Sequence, residues 1–352
     1  MSSIIPFFSI IMPVYNSEKY VGKAINSILK QSFRDFELII VDDGSSDSSK
    51  DICGELALTD HRIILKETKD RDGVANVRNE GLKWVRGEYV TFVDSDDFID
   101  NDIFELAYIK IKSYRPDVLK YACIEEYYNE FEHISGTKDI HLTEQYLEDQ
   151  KAIRQKIIEL EKLPLFGYVW NAFYCTKVLK EYGVQFDTEL SVSEDFNFNL
   201  LFFNNVKKLY CLDKCAYHYA KRMNNSLSTK KNEDYYKIHF LKIKSLLEYY
   251  EKWNLLDNCT EQRIFWLYTR GIYSTISRKI EDGENYIEIL QQIFTTPLHK
   301  KFTMISSSGL SFKEKLLMNE LKKEHRFTIY LLCLLMNLIR NKLRIIFSRI
   351  KG

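Results

Sequence analysis

Along the first hundred residues, short apolar runs alternate with stretches whose apolar positions recur every three or four residues. Phe8-Ser-Ile-Ile-Met12 is apolar and β-branched and stops at Pro13, the pattern of a buried strand feeding a loop. From Ser17, placed to cap a helix start, Tyr20, Val21, Ala24, Ile25, Ile28 and Leu29 fall at helical spacing. Leu38–Val41, Ile63–Leu65 and Tyr89–Val93 read as further strands and Val74–Val85 as a helix. Strand–helix alternation of this kind predicts an α/β fold, a parallel sheet with helices on both faces. Ligands of such sheets bind where the carboxyl ends of the strands emerge. Three polar clusters stand there: Pro13-Val-Tyr-Asn16, Asp42-Asp-Gly-Ser-Ser-Asp47 and Asp94-Ser-Asp-Asp97.

From residue 101 to 225 the alternation loosens. A helix is predicted over Gln145–Leu163, followed by the aromatic stretch Phe166-Gly-Tyr-Val-Trp-Asn171. Residues 235–294 read as a helical appendage, with Ile238, Leu241, Leu246, Leu247 and Tyr250 among the apolar positions. The longest apolar run, Phe327–Ile339, carries Asn337 and falls short of the roughly 20 residues a spanning helix needs. No acidic residue follows Glu324, while Arg326, Arg340, Lys342, Arg344, Arg349 and Lys351 surround Leu331–Phe347. That pattern predicts a helix lying on an anionic membrane surface, with a buried or oligomer-forming helix as the alternative.

Composition narrows the class. With 45% hydrophobic and 28% charged residues but only 13 Gly and 5 Pro in 352, the chain suits a buried core rather than disorder. Lys+Arg and Asp+Glu number 50 each, so no overall positive charge draws the chain to nucleic acid. Seven scattered cysteines with no C-x-x-C pair fit reduced thiols in a cytosolic protein. Residues 1–8 lack the basic and apolar regions of a secretory signal, so none is expected.

The strand-end clusters carry the candidate chemistry. Neither G-x-G-x-x-G nor G-x-x-x-x-G-K-[ST] occurs at them, which weakens dehydrogenase and ATPase readings. Asp94 and Asp96, one residue apart, can converge on a hard divalent cation that neutralises a diphosphate, or can form a solvated acidic turn. Asp42 and Asp43 can accept the imide N–H of a uracil or serve the helix start that follows. Glu194-Asp195 opens a predicted helix, Phe196–Phe203, where acidic residues also suit the dipole. Tyr168 and Trp170 offer faces for a sugar or belong to the core.

Taken in order, Pro13-Val-Tyr-Asn16, Asp42-Asp-Gly-Ser-Ser-Asp47, Gly73-x-x-x-x-Arg78-Asn79 and Asp94-Ser-Asp-Asp97 resemble the family 2 glycosyltransferases, over roughly the first 100 residues. The likeness extends more weakly to Ser193-Glu-Asp-Phe196 and to Tyr217-His-Tyr-Ala-Lys-Arg222 with Asn225-Ser226. It implies a GT-A, Rossmann-like, mostly parallel sheet flanked by helices, with a helical C-terminal extension. The expected domains are a transferase domain over 1–225 (nucleotide-binding half 1–100, acceptor-side half 101–225), a helical extension over 226–325 and a membrane-surface tail over 326–352.

By the same resemblance, Pro13, Tyr15, Asn16, Asp42, Asp43, Arg78, Asp94, Ser95, Lys221 and Arg222 bind a nucleotide-sugar. Asp96, with His218, holds Mg²⁺ or Mn²⁺; Asp195 is the general base, and Glu194 and Trp170 face the acceptor. Ala220 departs from the pattern, standing where a basic residue is common, so that His218, Lys221 or Arg222 must supply the charge. The Gln-x-x-Arg-Trp motif of processive members is missing. The implied reaction is inverting, non-processive transfer of a hexosyl residue from a UDP-sugar to a hydroxyl of a lipid-linked glycan in capsule or exopolysaccharide assembly, at the cytoplasmic face of the membrane. A homo-oligomer stays open. The rival readings are a catalytically silent nucleotide-sugar-binding partner and a nucleotidyltransferase that leaves pyrophosphate.

Overall fold

The structure, a computed structural model, describes residues 5–68, 71–163, 165–190, 193–222 and 235–350, with side chains through residue 339. It divides into two units, Met1–Ser226 and Leu227–Gly352.

The first unit begins with a run of βα repeats: β1 (Phe8–Val14), α1 (Val21–Leu29), β2 (Phe36–Asp42), α2 (Ser49–Thr59), β3 (Ile63–Glu67), α3 (Val74–Lys83) and β4 (Tyr89–Phe92). These strands lie parallel in the order β3-β2-β1-β4, with Ile10 between Leu38 and Thr91. Nearly every residue of β1 and every residue of β2 is buried, as strands covered on both faces require. The strand β1 runs two residues past the expected end at Met12. Val14 accepts a bond from the Asp43 N–H on the β2 side, so the N–H that Pro13 lacks points to the β4 side. There the pairing has already ended at Ile11–Phe92, and the proline costs no ladder bond.

The second half of this unit holds β5 (Phe98–Ile99), α4 (Ile103–Tyr114), β6 (Val118–Tyr128), β7 (Ile134–Ile140), β8 (Gln145–Leu147), α5 (Gln150–Lys162), β9 (Ala172–Cys175), α6 (Thr176–Glu181), α7 (Glu194–Phe203) and β10 (Leu209–Lys221). The sheet continues β4-β9-β6-β10-β5, with β7 on β6 and β8 on β10. Parallel pairing returns between β6 and β10, whereas β9 is antiparallel to both β4 and β6. Two bulges leave β10 with three residues more than β6 between Leu212 and Tyr217.

Two element expectations change. Ser17 does not cap α1, which starts at Val21; its hydroxyl bonds the Tyr15 carbonyl and the Ser95 hydroxyl, and only its backbone carbonyl accepts from Tyr20 and Val21. The helix expected over Gln145–Leu163 is a short strand, β8, followed by α5, because Asp149 caps α5 through the Ala152 N–H and so sets the helix start after it.

The second unit is helical: α8 (Tyr235–Lys252), α9 (Asn258–Glu281), α10 (Tyr286–Thr295), α11 (Pro297–Met304), α12 (Phe312–Lys322) and α13 (Arg326–Ile350). Its centre is α9, against which α8, α10, α12 and α13 pack. Among the described residues no helix is long and apolar enough to cross a membrane.

At Gly87, just before β4, a Cβ would meet the Ser9 nitrogen at 2.7 Å and the Phe8 carbonyl carbon at 2.8 Å, both backbone atoms that cannot give way. Gly87→Ala is expected to destabilise the first unit by about 1–3 kcal/mol in urea unfolding, as overpacking does. Gly136→Ala, with nothing within 4 Å of the new Cβ, should leave the midpoint unchanged.

Candidate active site

Beyond β1 and β2 the chain builds one crevice wall. Asn16 sits in the left-handed region at φ 47°, where its Oδ1 accepts the Ser46 N–H at 2.8 Å and its own N–H donates to Ser45 Oγ at 3.1 Å. These bonds tie the loop after β1 to the loop after β2. Asp42 accepts the Ser45 N–H through Oδ2 at 3.0 Å, while Oδ1 is buried with no hydrogen-bond partner. An unsatisfied buried acceptor is costly and marks a place for a donor. Asp43 differs from its neighbour. Its oxygens take the Thr68 hydroxyl and the Asp72 and Gly73 N–H groups, so Asp43 anchors the loop leading to α3 and is not the free base acceptor the sequence suggested. Tyr15 is exposed, with the Arg71 guanidinium 4.3 Å over its ring.

Beyond β4 lies the acidic turn. Ser95 is buried, its hydroxyl 2.7 Å from that of Ser17. Asp97 is buried too, accepting the Tyr217 hydroxyl at 2.8 Å and the Ala220 N–H at 2.8 Å, and burial with Asp96 and Asp94 nearby pushes its carboxyl well up. Tyr217 also accepts the Asp94 N–H at 3.1 Å, so one hydroxyl sets both ends of the turn. Asp96 faces the crevice. Protein packed around it and the charge of Asp94 push its carboxyl up to about 6, against the pull of Arg222, whose guanidinium lies 3.2 Å away.

Arg78, on α3, is buried and reaches three carboxylates: Asp94 at 3.0 Å, Glu194 at 3.2 Å and Asp195 at 2.6 Å. Burial disfavours its charge, but Asp195, Asp94 and Glu194 hold it protonated. The bonds of the two terminal nitrogens of Arg78 go to the turn after β4 and to the start of α7, while Nε is buried without a hydrogen-bond partner. Asp195 also accepts the Val169 N–H at 3.4 Å. Its carboxyl is pushed up by burial, opposed by Arg78 and reinforced by Glu194 and Asp94. A carboxylate with its affinity for protons raised is a better base.

At the end of β10, Lys221 bonds Glu125 at 2.5 Å, and Arg222 stacks 3.8 Å over the Tyr20 ring while reaching both Asp96 and Glu132. Arg222 thus stands beside the acidic turn, while Lys221 is held by Glu125. His218 does not join Asp96 as a metal ligand. Its two ring nitrogens meet Glu126 at 2.8 Å and Asp100 at 3.0 Å, and its ring stacks on Phe98 at 4.1 Å. Trp170 does not present a face to an acceptor: it is buried between Tyr217, stacked at 4.0 Å, and Tyr168, stacked at 4.8 Å. Asn225 and Ser226 lie outside the described residues.

Sequence patterning missed Asp97 as an anchor, Tyr217 as its partner, and Lys120. Lys120 is wholly buried on β6, donates to the Tyr168 carbonyl at 3.3 Å and is pushed down to about 7 by burial. Only the clash of a lysine with the otherwise apolar run Val118–Ile124 signalled it. Among the described residues no group of three or more His, Cys, Asp or Glu is arranged to hold a metal ion. Asp94 and Asp96 are hard oxygen donors on one turn and fit Mg²⁺ or Mn²⁺ as part of a site that a diphosphate and water complete.

The sequence model described as glycosyl transferase family 2 matches residues 9–183, and the chain belongs to that family. It is 34% identical over 220 residues to the glycosyltransferase GlyA of Streptococcus pneumoniae, a match covering 61% of this chain and 30% of GlyA. It is 27% identical over 292 residues to the poly(ribitol-phosphate) beta-N-acetylglucosaminyltransferase TarS of Staphylococcus aureus strain MW2, covering 80% of this chain and 48% of TarS. The chain thus spans less than half the length of either relative. The crystal structure of S. aureus TarS 1-349 in complex with UDP-GlcNAc superposes with a TM-score of 0.65 at 24% identity, over 92% of this chain and 89% of that one. The fold is GT-A, an α/β sheet flanked by helices with C-terminal helices.

Removing Arg78 would leave three carboxylates facing one another in a largely buried pocket. Arg78→Ala is expected to cost roughly 3–5 kcal/mol in urea unfolding at neutral pH. Part of that loss should return as the pH falls and the carboxylates protonate, because in the variant their unpaired charge is what opposes folding.

Proposed function

We propose that this chain is a UDP-sugar-dependent hexosyltransferase of cell-surface polysaccharide synthesis, inverting and non-processive, with a lipid-linked glycan as acceptor. The observation that carries the reading is the Arg78 bridge, which brings the acidic turn after β4 and the candidate base Asp195 into one crevice. In this reading the uracil imide N–H donates to the unpartnered oxygen of Asp42, and Tyr15 faces the base. Lys221 and Arg222 face the diphosphate. Mg²⁺ or Mn²⁺, held by Asp96 with Asp94, would offset the charge of the diphosphate. The acceptor oxygen attacks the anomeric carbon opposite the bond to UDP; Asp195 takes the hydroxyl proton as that bond breaks, and UDP leaves with the electron pair. The UDP-GlcNAc bound to TarS, on the same fold, supports a UDP-sugar donor.

A panel of UDP-, GDP- and dTDP-sugars with Mn²⁺ or Mg²⁺, with and without a bacterial lipid extract and scored for released nucleotide, tests this. UDP release from one donor, lost in Asp96→Ala, is the expected outcome. Asp195→Asn should reduce turnover by about 100-fold or more while UDP binding persists. UDP binding without turnover from any donor or acceptor would favour the silent partner, and pyrophosphate release the nucleotidyltransferase.

The pH profile gives a second check. A base with a raised pKa must lose its proton before it can act, so turnover should fall as pH drops through a value above the ordinary carboxylate range. Glu194→Gln removes a charge that raises Asp195, and the acid limb should move to lower pH. A limb that stays in place removes Asp195 from the role of base.

A further inference from the structure

The helix α13 is apolar on two sides. One side faces its own unit: Ile329 and Cys333 are fully buried, the Cys333 thiol donates to the Tyr273 carbonyl at 3.7 Å, and Asn337 Nδ2 donates to the Ser277 carbonyl at 3.3 Å. Both partner carbonyls belong to α9, so this side is fixed. The other side is bare. Phe327 is 72% exposed, Leu331 46%, Leu335 53%, Leu338 57% and Ile339 50%, and their spacing of four, four, three and one puts them on one stripe of the helix. Single exposed apolar residues are ordinary, but a continuous stripe over three turns marks a surface that something covers.

Charge decides what covers it. Residues 325–352 contain no aspartate or glutamate and six lysines and arginines: Arg326, Arg340, Lys342, Arg344, Arg349 and Lys351. A second copy docked stripe to stripe, in either direction, would set this positive segment against itself with no acidic side chain to pair it. An anionic bilayer attracts each basic residue and accepts the leucines at the boundary between headgroups and acyl chains. Since α13 is not long and apolar enough to span, it would lie in the plane of the interface.

We propose that the outward stripe of α13, Phe327, Leu331, Leu335, Leu338 and Ile339, is a docking surface for an anionic lipid bilayer. The inference is independent of the transferase reading, since it rests on none of the residues of the crevice.

The test is flotation of the full chain with vesicles of phosphatidylcholine alone or mixed in equal parts with phosphatidylglycerol. Binding to the mixed vesicles, weakened by salt, and not to phosphatidylcholine alone is the expected result. The double variant Leu331→Glu/Leu335→Glu should lose at least roughly tenfold in binding, because two leucines no longer enter the bilayer. It should melt at the parent temperature, because both side chains already face water. Arg340→Gln/Arg344→Gln should bind the mixed vesicles more weakly with the stripe intact. Failure to float, equal binding to both vesicle types, or unchanged binding by the leucine variant overturns the proposal. A dimer in light scattering that the leucine variant dissociates would assign the stripe to a second copy instead.

Discussion

One buried guanidinium governs the geometry of the crevice. Among the described residues, the two halves of the first unit meet in the sheet where β4 pairs with β9, through Tyr89 and Val90. At the functional end Arg78 reaches from α3 to Asp94 on one side and to Glu194 and Asp195 on the other, beside the bonds that Tyr217, Ala220 and Arg222 make to the acidic turn. Three carboxylates surround one cation, and the most buried of them, Asp195, is pushed up first by that burial and then by Glu194 and Asp94, against the pull of Arg78. Anchoring and basicity therefore meet at one residue: Arg78 holds Asp195 in place and lowers its affinity for a proton, while burial and the two neighbouring carboxylates raise it.

A division of labour follows between neighbouring aspartates. Asp42 keeps one oxygen free while Asp43 spends both on the loop before α3. Asp96 faces the crevice while Asp97 is turned inward onto Tyr217 and Ala220. In each pair one carboxylate holds the backbone so that the other can be presented. The departure at Ala220 is consistent with this: the structure uses that position for its N–H, which any residue but proline supplies, and the basic groups follow at Lys221 and Arg222.

Much of the fold was legible because the first hundred residues obey local rules. Buried parallel strands are short, continuous and β-branched, and α1 and α3 carry apolar residues at helical spacing. What failed was set by tertiary partners. Ser17 has the chemistry of a cap, yet Tyr15 and Ser95 claim its hydroxyl. Gln145–Leu147 carries no strand signal of its own and is drawn into the sheet by pairing with Leu209–Cys211. In the crevice, strand-end position showed where functional groups gather but not which are already bonded. Motif spacing does not distinguish Arg78 beside a phosphate from Arg78 enclosed by acids, nor a tryptophan that meets a sugar from one enclosed by tyrosines.

The bulges in β10 bear on how this protein tolerates change in length. They lie before Tyr217, in a stretch where Asp213 is exposed and an insertion or deletion would seem harmless. Side chains of a strand alternate faces, so removing one residue there inverts everything that follows: the face that carries Tyr217, Tyr219 and Lys221 would receive His218, Ala220 and Arg222 instead. The anchor of the acidic turn would be lost although no residue of the turn had changed. Between Leu212 and Tyr217 the number of residues is thus under tighter constraint than their identity.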